Sequence, residues 1–142
     1  MKARPIIVHD LEDARAALSV AAEIGVTALT LRSAPGAARY LGATVYRDMV
    51  AEAARGSTGV AVTAVFDCGG DAGLALGALR HGLKVVRLAA GDEARRRVAE
   101  IAAATGAWLA DGDPPVLDLL GAGARRAAVR AWLTAGEPAA KD

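Results

Sequence analysis

Short apolar runs alternate with longer segments of helical spacing five times along the chain. The runs are residues 5–9 (PIIVH), 26–32 (VTALTLR), 60–67 (VAVTAVFD), 83–88 (LKVVRL) and 107–111 (AWLAD). Each has strand length, and most are rich in Val, Ile or Thr. Most are also near-continuous in apolar character rather than cleanly alternating, which is how parallel strands covered on both faces read. The stretches between and after them, 11–24, 35–55, 71–81, 92–105 and 114–135, are alanine-rich with apolar positions at helical spacing. In the fourth, Val98, Ile101, Ala102 and Thr105 fall on one face, and Glu93 and Arg97 form an i,i+4 pair.

The punctuation repeats too. Gly25, Gly82 and Gly106 each stand where a helix ends and a strand begins, and residues 55–60 form a longer version of the same turn. A glycine there supplies the left-handed residue that side-chain-bearing residues resist. The pattern predicts an α/β fold of five right-handed βα units in a three-layer arrangement around a parallel sheet. Two strand orders fit. The length and the apolar first and third runs favour a flavodoxin-like order, 2-1-3-4-5. The alternative is a sequential order, 1-2-3-4-5, cut from a (βα)8 barrel. A single domain is expected over 1–136, with residues 137–142 as a flexible, dispensable tail after Gly136.

Composition narrows the class. The chain has 142 residues, 54% hydrophobic and 23% charged, which excludes disorder. Its apolar content comes largely from 36 alanines, against five aromatic residues, so helices can approach closely. A formal net charge of +1 gives no reason to expect nucleic acid or an anionic membrane as partner. The lone Cys68 excludes a disulfide framework and fits a reducing compartment. No apolar run spans a bilayer and the start lacks the apolar core of a signal peptide, so a cytoplasmic protein is expected.

Ligands of such sheets bind outside the carboxyl ends of the strands. Those ends carry His9-Asp10, Arg32-Ser33, Asp67-Cys68-Gly69-Gly70, Arg87 and Asp111-Gly112-Asp113. Asp10, Ser33, Asp71, Asp92 and Asp113 each precede a helical pattern and are expected first as N-caps, and Asp10 with Asp13 resembles a capping box. His9, Arg32, Asp67 and Arg87 stand at the strand ends themselves, where an ionised group needs water, a partner or a ligand. A structural Asp67–Arg87 pair between adjoining strands is the alternative. The glycine-rich turn after Asp67 matches neither dinucleotide nor P-loop fingerprints, and its Asp71 opposes phosphate. The carboxylate beside Cys68 also works against a reactive thiolate. No motif implies a cofactor or a metal.

One stretch resembles a known family. Within residues 60–88, Phe66-Asp67-Cys68-Gly69 and then residues 78–86 (ALRHGLKVV) are similar to the strand, D-H-G turn, helix and strand of class II, metal-dependent fructose-bisphosphate aldolases. The likeness implies a partial barrel. It does not carry the chemistry over, because Cys68 stands where that family has a metal-binding histidine. An active response-regulator receiver is excluded. Asp67 occupies its acceptor position, but the fourth and fifth strands lack its Ser/Thr and Lys.

The expectation is a small homo-oligomeric protein that binds a small anionic metabolite, phosphate or carboxylate, on the strand-end rim. Arg32, Ser33, Gly69, Gly70, Arg87 and Asp111 would line the site, and His9 and Asp67 would be its acid–base groups. The competing expectation is a non-catalytic interaction or scaffold protein related to a partial barrel. Self-association is expected from the aromatic residues Trp108, Trp132, Tyr40 and Tyr46 and the alanine-rich helices.

Overall fold

A computed structural model describes residues 4–135. The expected tail, 137–142, lies outside them. The chain runs β1 (Ile6–Ile7), α1 (Leu11–Glu23), β2 (Ala28–Arg32), a 3-10 turn (Ala37–Arg39), α2 (Ala43–Ala54), β3 (Ala61–Asp67), α3 (Ala72–Arg80), β4 (Val85–Arg87), α4 (Asp92–Ala103), β5 (Trp108–Leu109), β6 (Leu117–Asp118) and α5 (Arg125–Ala135). All six strands are parallel in one sheet. The α/β class with interleaved βα units is as the hydrophobic pattern predicts.

The favoured strand order is not. The sheet runs β5-β4-β3-β2-β1-β6, which is the sequential, half-barrel order with one added strand. Leu117 and Asp118 pair with Ile6 and Ile7, so β1 is flanked on both sides. Its apolar character therefore reflects β6 covering its outer edge and not a central place in a doubly wound sheet. β6 lies within the stretch 114–135 that the spacing predicts as a helix; the final helix starts only at Arg125. The helix expected over 35–55 is likewise broken into a 3-10 turn and α2.

The three glycines behave as the punctuation requires. Gly25, Gly82 and Gly106 have φ of 85°, 93° and 77°. After each, an apolar residue turns back onto its helix: the N–H groups of Val26, Leu83 and Ala107 donate to the carbonyls of Ala21, Ala78 and Ala102. These are three Schellman caps, one at the end of each of α1, α3 and α4. At the other helix ends Asp10 and Asp71 cap as expected, accepting from Asp13 N–H and Leu74 N–H. Gly91, not Asp92, caps α4. Asp13 departs from a capping box: it accepts from His9 N–H and receives Arg125 Nε at 2.6 Å, pinning α5 to α1.

Alternation splits each strand between two faces. Ile6, Leu29, Leu31, Phe66, Val86 and Leu109 share the core with Ala17, Val50, Ala78, Val98 and Val129 from the five helices, which neighbour one another in the order α5-α1-α2-α3-α4. Ring stacking of Tyr46 on Phe66, with centroids 5.3 Å apart, fills that core where alanines leave room. Ile101, expected on the buried face of α4, is exposed. The register puts Asp118, Ile7, Arg32, Val65, Val85 and Trp108 in one row on the opposite face of the sheet.

Residues 110–116 join the two outermost strands. Five inter-strand steps of about 4.8 Å separate β5 from β6, roughly 24 Å in a flat sheet. Eight residues from Leu109 to Leu117 reach at most ~29 Å when fully extended. A detour around the helices is out of reach, so the segment crosses the face that the helices leave bare. The sheet lies between the helices and this strap. No helix among the described residues is long and apolar enough to cross a membrane.

Candidate functional site: the strand-end rim

Arg32 ends β2 and is held between Ile7 and Val65 on the row away from the helices. It is only 6% exposed, and its Nε and Nη1 are buried with no hydrogen-bond partner. Burial, and then repulsion from Arg87, lower its pKa against the attraction of Asp67 and Asp113. A buried, charged group with unmet donors is costly to the fold, and such groups concentrate where function needs them.

Asp67 and Arg87 are register partners at the ends of β3 and β4. Asp67 Oδ1 accepts from the N–H groups of Gly36 and Gly69, both at 2.9 Å, and its own N–H donates to Ser33 Oγ at 2.8 Å. The carboxylate thus ties the loop after β2 to the loop after β3, and Ser33 is a tie in that junction and not a helix cap. Oδ2 faces Arg87 Nε at 3.5 Å, too far and too poorly aligned for a hydrogen bond. The structural pair is therefore only half made. Arg87 reaches instead to the strap: Nη1 donates to Gly112 O at 2.9 Å, and Nη2 lies 3.6 Å from Asp113 Oδ1.

The glycine turn is structural. The Gly69 N–H is taken by Asp67, and its carbonyl accepts from Ala89 N–H at 2.7 Å. A Cβ on Gly70 would come within 3.3 Å of Ala89 O. Glycine there lets two rim loops close on each other. Cys68 is fully buried, and desolvation followed by the charges of Asp67 and Asp71 pushes its thiol up to about 12. It is an inert core residue.

The remaining rim groups form separate pairs. Asp111 lies 3.5 Å from Arg95 and is largely exposed, apart from Arg32. His9 Nε2 lies 2.6 Å from Asp118 Oδ1, and the row that carries Asp118 also carries Ile7 and Arg32. Desolvation acts to raise the Asp118 pKa, but the Leu120 N–H and His9 outweigh it and hold the carboxyl below its ordinary range. Asp118, Arg95 and the contact of Asp113 with Arg87 escaped sequence reasoning. Each depends on where the strap and β6 run, which no local spacing signals.

A cleft of about 240 Å³ opens on this rim between Asp67, Arg87, Ala89, Arg95 and Gly112. A larger cavity, about 590 Å³, lies at the opposite strand ends against Val50, Ala54, Leu83 and Trp108. Its charged side chains, Arg47 and Lys84, donate to the carbonyls of His81 and Thr105, and it lacks the strand-end position where sheets of this type bind ligands. Among the described residues no three His, Cys, Asp or Glu side chains gather to hold a metal ion. Of the aromatic residues expected at a self-association surface, Tyr46 is core and Trp132 is partly buried beneath the Arg4 guanidinium, 3.6 Å from its ring centroid. Only Tyr40 and Trp108 are exposed. No protein-family model matches this chain, and no curated protein matches it significantly.

Proposed function

We propose that the protein binds a small anionic metabolite, a carboxylate or a phosphate, at the strand C-terminal rim, with Arg32 and Arg87 holding the anion. The observation that carries this reading is the Arg32 guanidinium, buried with two unmet nitrogens beside a second cation. An anion supplies what the fold leaves unmet, since charge-assisted bonds to guanidinium are the strong ones. Asp67 fixes the two loops around the site through Ser33, Gly36 and Gly69. His9, oriented by Asp118, is the imidazole on the same face able to exchange a proton with the bound molecule. Calorimetric titration with a panel of sugar phosphates and small carboxylates tests this. Binding by the wild type and its loss in Arg32→Gln is the expected result. A panel that fails throughout, or a variant that binds as well, removes the reading.

A second reading, a non-catalytic homo-oligomeric interaction protein, draws on Trp108. It is 53% exposed on β5, an edge strand of the sheet among the described residues. Light scattering at micromolar concentration decides it, and loss of a dimer mass in Trp108→Ser would assign that edge to the interface.

A further inference from the structure

The charges of the rim and the strap that crosses it narrow the ligand, given that Arg32 and Arg87 bind an anion at all. Two acidic side chains of the rim have partners of their own: Asp111 lies beside Arg95, and Asp118 is hydrogen-bonded with His9. What remains beneath the strap is Arg32, Arg87 and Asp67. Two cations against one carboxylate leave a single positive charge. A monoanion neutralises it. A phosphate dianion would overshoot and would stand beside Asp67 Oδ2, which has no donor of its own to turn toward it.

The strap already lays one carboxylate there. Asp113 Oδ1 lies 3.6 Å from Arg87 Nη2, longer than a hydrogen bond, and the side chain is 92% exposed. The neighbouring Gly112 carbonyl does bond Arg87, and Gly112 has φ of +73°, a conformation glycine adopts freely. The strap is short and is tied to the sheet through that bond. It can turn at Gly112 and carry Asp113 away from Arg87.

We infer that the Asp113 carboxylate stands in the place of the ligand's own, and that the ligand is a small monocarboxylate that displaces it to reach Arg87 and Arg32. Asp113 is then an internal competitor, weak because it is exposed and makes no hydrogen bond to the cation. An exposed ion pair of this kind contributes little, so removing it should tighten carboxylate binding by about two- to fivefold.

Acetate and inorganic phosphate are the probes, titrated at pH 8 into the wild type, Asp113→Asn, Asp113→Ser and Arg32→Gln and followed by NMR chemical shifts. Acetate should bind the wild type and bind both Asp113 variants more tightly by that factor. Phosphate should bind more weakly than acetate, and Arg32→Gln should abolish the acetate response. Tighter binding of phosphate, or Asp113 variants that bind acetate no better than the wild type, overturns the inference and leaves the anion site standing. No binding of either probe to the wild type removes both. Asp113 lies on the surface, so unchanged melting of its variants separates competition from damage to the fold.

Discussion

Replacing Arg32 with methionine should make the protein more stable while ending anion binding. The guanidinium is 6% exposed, with Nε and Nη1 unmet and Arg87 close enough to repel it. Each unsatisfied buried donor costs about 1–3 kcal/mol. Attraction to Asp67 offsets part of this, and the methionine side chain preserves most of the stem's packing between Ile7 and Val65. Replacement of buried ionic groups by apolar ones of similar volume is neutral or stabilising by about 1–4 kcal/mol. A net gain of about 1–3 kcal/mol follows, or roughly 4–12 °C in melting temperature for a chain of this size. Urea denaturation at pH 7 measures the first quantity and calorimetry the second. Acetate should raise the wild-type melting temperature by mass action and leave the variant unmoved. Destabilisation by 1 kcal/mol or more would mean that Arg32 is satisfied within the fold, and the case for a ligand would collapse with it.

Asp67→Ala removes the acceptor of two backbone N–H groups and should cost about 2–4 kcal/mol by urea denaturation; a loss under 1 kcal/mol would show that the rim loops hold without it. Arg125→Ala leaves the buried Asp13 Oδ1 without its cation. It should lower stability by about 1–3 kcal/mol and speed amide exchange in α5 before the rest; uniform exchange would contradict the pinning role. Asp118 has a folded-state pKa below its ordinary value, so its contribution is full above the unfolded value near 4 and fades as pH falls through the lower folded one. Asp118→Asn should therefore flatten the acid limb of stability below about pH 5, and an unchanged slope would rule that contribution out.

What the sequence made legible is what depends on neighbours along the chain. The Schellman glycines, the Asp10 and Asp71 caps and the Glu93–Arg97 pair are contacts within a few residues, and each appears where the spacing put it. Arg32, Asp67 and Arg87 were legible for a different reason: strand ends of any parallel sheet share one rim. Strand order was not, because a βα unit reads the same whichever side the next strand takes. The error there has a definite source. Two paired residues, Leu117 and Asp118, are too short a strand to leave a period, and without them the apolar β1 suggested a central strand. The Asp13–Arg125 and His9–Asp118 contacts join residues more than a hundred positions apart, and both depend on that same unseen return of the chain.

The position of β6 also sets an order of events in synthesis. Ile6 and Ile7 leave the ribosome about 110 residues before Leu117 and Asp118, and one side of that strand stays bare until those two emerge. At ~5–20 residues per second, about 110 residues of delay is roughly 5–20 s during which an apolar strand edge is open to any passing chain. α5 arrives directly afterwards, and Arg125, Arg126 and Arg130 engage Asp13 and Glu23 on α1. A later segment thus closes over an earlier one, and a chain halted before residue 117 keeps the bare edge for good and is exposed to aggregation through it.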